Sequence, residues 1–490
     1  MEAGQRAQLL KRVAILGAGI SGLACAHRLA ELQKQHQNPA QILLFEASDR
    51  SGGNIQTESR DGFLLERGPD SFISDKPWAL DLCRRLNLEP EILETETQNR
   101  KVFVLKKGRL FPVPEGFYMI APTNIRSFLM TPLFSLSAKC RMMAEPWIAK
   151  GSVGLDESVG HFIRRRFGQE ALECVGQPMI AGVYSGDPEK LSLRSTMPRF
   201  MDMEHSHGSV IRALRAQSKK QDALRSASGP RYSLFLSFKN GMVSLVSALE
   251  KKLPPDTLKG SARVESVEYD AELSKWKICF AGGRAELVDA LCSTLSASAT
   301  GRLFKESDAA FSKELSRMNY ESVATLNLAY PEKALPRMLK GFGFVVPALE
   351  RRSVMACSFS SQKFKGRAPQ GHQLLRVFAG GAFGKEFFKK SDADLKSSVI
   401  EDLKNILGIQ GEPLFCSVSR YPDGMPQYEV GHSQWVEGIE AALTGKKGLF
   451  LTGSSYRGSG IADCIHEAEI QAQKLDYFLA VDMGRRMEYR

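Results

Sequence analysis

The chain has 490 residues, of which 43% are hydrophobic and 25% charged, and its net charge at pH 7 is +11. This composition excludes a disordered or fibrous chain and predicts a globular protein of two or three domains. An excess of basic residues favours binding to nucleic acid, to an anionic membrane surface or to an anionic substrate. No basic run is interleaved with aromatic residues, so we expect no nucleic-acid binding.

Cysteine usage and apolar runs indicate the compartment. Nine cysteines are scattered along the chain without a C-x-x-C pair, which favours a reducing environment over a zinc or disulfide framework. Residues 1–12 hold no apolar run, and no stretch of 18 uncharged apolar residues occurs, so we expect neither a signal peptide nor a spanning helix. His205 and His207 have no third ligand nearby, and no metal site is predicted. These features predict a cytoplasmic protein.

The first recognisable unit is a strand, a glycine-rich turn and a helix. Residues 13–16 are apolar, Gly17, Gly19 and Gly22 follow at the spacing Gly-x-Gly-x-x-Gly, and apolar residues recur at helical spacing over 20–32. In such a turn the first glycine allows a sharp bend, the second lets a pyrophosphate approach, and the third lets helix and strand pack closely. The unit predicts a dinucleotide site, with a ligand-free tight turn as the alternative.

The residues after the second strand favour FAD as the dinucleotide. Glu46 closes the apolar run 42–45 at the position where a carboxylate accepts hydrogen bonds from ribose hydroxyls. Arg50 and the pair Gly52 and Gly53 follow, which provides a second close backbone approach beside a fixed positive charge. This second approach suits the ribityl-phosphate arm of FAD better than NAD.

A second glycine set imitates the first one. Ala379, Gly381 and Gly384 follow an apolar strand, but we expect no helix directly after them, and no acidic residue ends a following strand. The next helix is predicted to begin at Ser391 or Asp392. With a single dinucleotide site, the substrate itself would reduce the flavin, and oxygen or another small acceptor would reoxidise it.

Strand, turn and helix patterns return twice later in the chain. We therefore predict an α/β fold in which residues 1–95, 228–320 and 445–490 form one discontinuous FAD-binding domain. Residues 321–444 alternate strand-like runs with one helix and are predicted to form the substrate-binding domain.

Residues 96–227 are predicted to form an inserted helical domain. The segment is rich in Phe, Met and Leu, is broken by prolines, and carries the cations Arg126, Lys139, Arg141 and Lys150. Two interpretations stay open: an apolar surface lying in a membrane interface, or an ordinary helical core.

Several motifs together carry a family resemblance. They include "GAGISGL", "EASDRSGGNI", "ERGPDSF", "QPMIAGVYSGDPEKLS", "FKNGMVSLVSAL" and "GSSYRGSGIADCI". The first is also found in amine oxidases and carotenoid desaturases, whereas the combination is narrower. Over nearly its whole length the chain resembles the bacterial, oxygen-dependent, FAD-containing protoporphyrinogen oxidases. The resemblance implies a Rossmann-like FAD domain of the amine-oxidase and p-hydroxybenzoate-hydroxylase type, an inserted helical domain and a mixed α+β substrate domain.

The resemblance also implies the reaction and the partners. A porphyrinogen substrate, protoporphyrinogen IX or alternatively coproporphyrinogen III, would lose six electrons in three flavin cycles, and oxygen would become hydrogen peroxide. Because FAD carries the redox chemistry, no catalytic side chain is predicted. We further expect peripheral contact with the inner face of the cell membrane, hand-off of the product to a ferrochelatase, and a homodimer. The chain departs from the family at Ala462, where a proline is usual, and in residues 292–299.

Motif positions give the predicted site residues. Those predicted to line FAD are Gly17, Ala18, Gly19, Ile20, Ser21, Gly22, Glu46, Ala47, Arg50, Gly52, Gly53, Asn54, Gly68, Pro69, Asp70, Ser71, Val264, Ser459, Gly460 and Ile461. Arg50, Gly52 and Gly53 are predicted from the residue pattern itself and not from the resemblance. Arg100 is predicted near a substrate carboxylate, and Phe344 and Phe359 against the tetrapyrrole. Without the resemblance, Arg100 would be a solvated charge and both phenylalanines core residues.

Two other functions stay open at this stage. The same scaffold suits an amine or carotenoid oxidoreductase, and a flavoprotein without activity could bind a tetrapyrrole or a protein partner. Release of fluorescent porphyrin with peroxide would distinguish the predicted activity from both.

Overall fold

A computed structural model describes residues 10–151, 154–225, 234–336 and 339–482. Most of the segment 1–12, on which the signal-peptide prediction rests, and the predicted domain boundary between residues 227 and 228 lie outside the described residues.

The strands are short except in one large sheet. In chain order they are β1 (Lys11–Leu16), β2 (Ala40–Phe45), β3 (Thr57–Arg60), β4 (Phe63–Glu66), β5 (Phe72–Ile73), β6 (Ile92–Glu94), β7 (Val102–Lys106), β8 (Arg109–Pro112), β9 (Phe117–Tyr118), β10 (Ala121–Pro122), β11 (Phe235–Phe238), β12 (Leu258–Lys259), β13 (Val264–Asp270), β14 (Lys275–Phe280), β15 (Ala285–Val288), β16 (Ala290–Ser293), β17 (Tyr320–Pro331), β18 (Gly343–Val345), β19 (Ala356–Phe359), β20 (His372–Gly380), β21 (Phe415–Pro426) and β22 (Leu449–Leu451).

The helices concentrate between β10 and β11 and at the carboxyl end. They are α1 (Ile20–His36), α2 (Pro77–Arg85), α3 (Ile125–Met130), α4 (Leu136–Met143), α5 (Val159–Phe167), α6 (Gln169–Ala171), α7 (Gln177–Tyr184), α8 (Leu193–Thr196), α9 (Pro198–His207), α10 (Val210–Arg225), α11 (Val243–Lys252), α12 (Ala297–Leu303), α13 (Ala309–Leu315), α14 (Ser360–Lys363), α15 (Lys385–Phe388), α16 (Asp392–Leu407), α17 (His432–Thr444) and α18 (Ile461–Asp482).

A five-stranded parallel sheet has the order β12-β2-β1-β16-β22. Its strands come from three stretches that are far apart in the sequence. β1 lies in the middle, and its side chains alternate between two apolar cores. Val13 and Ile15 pack in the core with α1 and α18, whereas Ala14 and Leu16 pack with β14 and α17 on the other face. The carboxyl ends of β1, β2 and β16 therefore meet at one edge.

A seven-stranded sheet has the order β21-β17-β20-β19-β18-β7-β8 and is antiparallel except between β18 and β7. The helix α16 covers one face, because Leu395, Val399 and Leu403 pack against Leu326 and Val377. β7 and β8 belong to this sheet although the sequence analysis placed them in the helical insertion. That boundary was wrong, since the partner of β7 lies more than 200 residues further along the chain, beyond the reach of local pattern.

The helical segment α3 to α10 has its own core and a buried ionic cluster. Arg166 and Glu145 are fully buried and paired, with Arg166 Nε 2.8 Å from Glu145 Oε1. Glu145 also accepts a 3.0 Å hydrogen bond from the N–H of Val210, so its carboxylate satisfies the first turn of α10. Among the described residues, no helix combines the length and hydrophobicity needed to cross a membrane.

Candidate functional site

The turn between β1 and α1 leaves open space at only one of its glycines. At Gly17 φ is +94°, and a Cβ would lie 2.8 Å from Leu295 Cδ2. A Cβ at Gly22 would lie 1.8 Å from Gly17 O, whereas a Cβ at Gly19 would meet only Gly53 Cα, at 4.0 Å. Gly17 and Gly22 are therefore required by the fold itself, and Gly19 borders a space that a ligand can use.

The backbone at Gly52 and Gly53 crosses the first glycine turn and is in direct contact with it. Gly52 N donates to Ala18 O at 2.7 Å, and a Cβ at Gly53 would come within 3.1 Å of Gly19 Cα. Both glycines have positive φ. The exposed Arg50 donates from Nη2 to Gly53 O at 2.9 Å, which places its guanidinium beside the crossing. Two partly buried backbone turns and one cation thus border the same space.

Glu46 lies at the carboxyl end of β2 and faces the glycine turn. Its Oε2 accepts from Ala18 N at 2.8 Å, and its Oε1 accepts from Ser48 N at 2.9 Å. Glu46 O accepts from Ala262 N at 2.7 Å, which brings Val264 at the start of β13 to the same edge. A cavity of ≈ 360 Å³ lies between Glu46, Arg50 and the helix α11, on the side of Glu46 away from the glycine turns.

Thr294 contacts the glycine turn, and the sequence analysis did not predict it. It follows β16, and its Oγ1 donates to Leu16 O at 2.9 Å and lies 3.1 Å from Gly17 O. The signal that could have found it is positional: a residue after a parallel strand beside β1 must lie next to the glycine turn.

The amino end of α18 completes this edge. The predicted residues Ser459, Gly460 and Ile461 lie where α18 begins, and the N–H groups of a first helical turn have no partner within the helix. Gly453, in the turn before, would place a Cβ 3.0 Å from Thr294 O. Burial raises the pKa of Cys464 to about 12, and its thiol is within hydrogen-bonding reach of Ser21 in α1. The thiol is thus neutral.

The loop 68–71 is held from behind by the seven-stranded sheet. Asn327 Nδ2 donates to Glu66 O at 3.1 Å, Thr325 Oγ1 donates to Arg67 O at 2.8 Å, and Arg376 Nη2 donates to Gly68 O. The pairing of β17 with β20 puts all three side chains on the face away from α16. A Cβ at Gly68 would lie 1.6 Å from Asn54 O, so only glycine fits there.

Asp70 carries a fixed negative charge in this loop. Lys363 Nζ lies 2.9 Å from its Oδ2, and Arg376 Nη1 lies 3.8 Å from the same oxygen. Burial acts to raise the pKa of Asp70, but the two cations outweigh it and hold the pKa well below its usual range. Asp70 is therefore not a proton acceptor at neutral pH.

The three predicted substrate residues are not brought together. Phe344 and Phe359 are buried in the core beside α16, on the face of the sheet opposite to Arg376. Both side chains thus lie on the face that α16 covers, and their contact with a tetrapyrrole stays a prediction. Arg100 is exposed just before β7, and Glu96 N in the preceding turn donates to Lys363 O at 3.0 Å. The turn before Arg100 thus contacts Lys363, the partner of Asp70.

The residues at this edge fit FAD. The open backbone at Gly19, the amino end of α1, the carboxylate of Glu46 and Arg50 meet the needs of a dinucleotide pyrophosphate and ribose. The loop 68–71 and the amino end of α18 extend the same edge toward the seven-stranded sheet.

Comparisons with known proteins agree with this geometry. The family model of flavin containing amine oxidoreductases matches residues 20–476. The chain is 34% identical over 460 residues to coproporphyrinogen III oxidase of Bacillus subtilis (strain 168), covering 94% of this chain and 96% of the relative. It is 30% identical over 512 residues to protoporphyrinogen oxidase 1, chloroplastic, of Arabidopsis thaliana, covering 98% and 90%.

A solved structure matches as well. It is a protein of Exiguobacterium sp. 255-15 provisionally assigned as a protoporphyrinogen oxidase, with a TM-score of 0.83 and 28% identity, covering 95% of this chain and 99% of the other. These matches confirm the predicted fold class and FAD as the cofactor. The chain belongs to the flavin-containing amine oxidoreductase family, in its branch of porphyrinogen oxidases.

Proposed function

We propose that this protein is an FAD-dependent porphyrinogen oxidase that converts protoporphyrinogen IX to protoporphyrin IX. Three molecules of oxygen accept the six electrons and six hydrogens that the porphyrinogen loses, and three molecules of hydrogen peroxide form. The observation that carries this proposal is similarity, over nearly the whole chain, to enzymes named as porphyrinogen oxidases. The predicted homodimer and the hand-off to a ferrochelatase stay predictions.

The residues of the chain bind and orient FAD and the substrate, and they do not themselves react. FAD, when bound, supplies the two-electron acceptor. The turns at Gly19 and Gly53 and the side chain of Arg50 would hold its pyrophosphate, and Glu46 its ribose. The exposed Arg100 would anchor a substrate carboxylate beside the loop 68–71.

Coproporphyrinogen III is the second candidate substrate. The relative from Bacillus subtilis, at 34% identity, is named for that substrate, whereas the relative named for protoporphyrinogen is 30% identical. Coproporphyrinogen has four propionates where protoporphyrinogen has two, so its additional carboxylates need additional cationic partners.

Steady-state oxidation of the two porphyrinogens tests both candidates. FAD-loaded protein is mixed with each substrate in air, and porphyrin fluorescence and peroxide are followed together. We expect fluorescence to rise with three peroxides per porphyrin, and the larger kcat/KM identifies the substrate. Absence of porphyrin formation with both substrates would contradict the proposal, and bleaching of the flavin by a polyamine would favour the amine oxidoreductase alternative.

We further propose that the segment 125–150 contacts a membrane surface. Met130, Leu136 and Trp147 leave 75%, 78% and 79% of their surface exposed, which is unusual for large apolar side chains. The exposed cations Arg126 and Lys150 lie in the same segment, as anionic headgroups require. Phe128 and Met142, by contrast, are buried, so α3 and α4 have one core face and one outer face.

A further inference from the structure

A cluster of buried charges lies behind the loop 68–71, and the binding functions assigned above do not account for it. Three of its members are cations, Lys363, Arg367 and Arg376, and none is more than 9% exposed. Asp70 and Glu66 are its carboxylates. The cluster spans α14, β20 and the strand β4 that leads into the loop, so it joins the two halves of the predicted FAD site.

The carboxylates do not balance the cations. Asp70 stays ionised, as argued above, but burial raises the pKa of Glu66 to about 7, although hydrogen bonds from Met242 N and Thr57 Oγ1 favour its charged form. At neutral pH the cluster therefore carries more positive than negative charge. A buried excess charge is costly unless a negative or electron-rich group faces it.

The position of Arg376 shows where this charge acts. Its Nη2 donates to Gly68 O, its Nη1 faces Asp70, and its Nε is buried without a hydrogen-bond partner. Arg367 differs, since its guanidinium donates to Ser237 Oγ and to Phe238 O at 2.8 and 2.9 Å and so holds β11. Arg376 and Lys363 thus direct their charge at the loop, whereas Arg367 is occupied by the fold.

We propose that Arg376 and Lys363 are positioning residues that hold the loop 68–71 and raise the reduction potential of FAD bound against it. The proposal rests on FAD lying along this loop. Two-electron reduction with uptake of one proton adds a negative charge to the flavin ring, so a nearby buried cation favours the reduced form. Asp70 has the opposite effect and limits it. A higher potential makes hydride removal from a porphyrinogen more favourable.

The test is the midpoint potential of bound FAD, measured by dye-coupled reduction without any porphyrinogen. Arg376→Gln removes the charge and keeps an amide donor for Gly68 O, and we expect reduced FAD to bind about tenfold more weakly relative to oxidised FAD, a fall of about 30 mV for a two-electron couple. Arg376→Lys keeps the positive charge, so its midpoint potential should stay close to that of the unmodified protein. Lys363→Gln should lower it as well, whereas Asp70→Asn should raise it.

Arg420→Gln is the matched control. Arg420 lies on β21 of the same sheet but on the opposite face, where it pairs with Asp392. Its removal should leave the potential unchanged. Equal potentials in Arg376→Gln and the unmodified protein, equal falls in Arg376→Gln and Arg420→Gln, or a fall in Asp70→Asn would each overturn the proposal. Because no substrate is present, failure here is distinct from failure of the porphyrinogen oxidase assignment.

Discussion

Glu66 is a buried carboxylate, and its surroundings do not fully stabilise the charged form. Burial raises its folded-state pKa to about 7, well above the ordinary glutamate value of 4.5. The folded state therefore binds the proton more tightly than the unfolded state, and the resulting stability is fully present below about pH 4.5 and lost as pH rises through 7. A difference of this size corresponds to about 3 kcal/mol.

Urea unfolding of the apoprotein between pH 5 and pH 8 measures this contribution. We expect stability to fall with rising pH, and Glu66→Gln to remove that part of the fall because glutamine does not titrate. Thr57→Val is the companion variant: it deletes a hydrogen bond that favours the charged form, so the pKa of Glu66 should rise further, and stability should fall by a larger total amount that extends to higher pH. If the stability of Glu66→Gln fell with rising pH as steeply as that of the unmodified protein, the fall could not be assigned to Glu66.

Arg100 has exposure and position suited to a substrate carboxylate but no buried structural role. Arg100→Ala should raise KM for the porphyrinogen by about tenfold and change kcat little, because the lost interaction is made equally in the ground and transition states. Arg109→Ala, at the exposed far end of the β7–β8 hairpin, should change neither constant. A fall in kcat with unchanged KM would speak against an anchoring role.

At the scale of elements, the β1–α1–β2 unit is where sequence reasoning succeeded best. Its strands and its helix from Ile20 follow from local periodicity and glycine spacing, whereas the contact of Gly52 with Ala18 came only from the structure. The helix predicted from Ser391 or Asp392 is also confirmed, with Ser391 as its cap. Each of these features depends on residues close together in the chain.

Features that depend on distant pairing were not predictable in the same way. Alternation in β18 and β19 cannot tell which face is inside, so the sequence alone could not predict that Phe344 and Phe359 pack beside α16. A one-turn helix, α15, does follow the glycines at 380–384, contrary to expectation. β20 is nevertheless antiparallel to both neighbours, which excludes the strand–helix–strand unit that a second dinucleotide site requires.

The outer face of α3 and α4 gives a prediction at the same scale. The triple variant Met130→Ser, Leu136→Ser, Trp147→Ser removes three exposed side chains, each of which stabilises membrane insertion by about 1.5–3 kcal/mol when fully buried. We expect its partition onto anionic vesicles to fall at least roughly a hundredfold in co-sedimentation. Leu273→Ser, in the exposed turn between β13 and β14, is the control and should partition normally. Equal partition of the triple variant would exclude this contact surface.

At the scale of the molecule, FAD would contact both the parallel sheet and the seven-stranded sheet. The glycine turns belong to the parallel sheet, and the loop 68–71 is held by the seven-stranded sheet, so a ligand that contacts both stabilises their association. Linkage then predicts that FAD at a hundredfold excess over its Kd raises the free energy of unfolding by about 2.7 kcal/mol. Thermal unfolding with and without FAD measures this gain directly.

Two glycine variants separate ligand binding from folding in that experiment. A Cβ at Gly19 meets no atom closer than 4.0 Å and its φ is −70°, so Gly19→Val should fold with an apoprotein Tm near that of the unmodified chain. The valine would fill the space proposed for the pyrophosphate, so FAD should no longer raise the Tm. Gly22→Ala places its methyl group 1.8 Å from Gly17 O and should lower the apoprotein Tm itself. If Gly19→Val kept its FAD-dependent gain, the pyrophosphate would have to bind elsewhere, and the contact of FAD with both sheets would lose its basis.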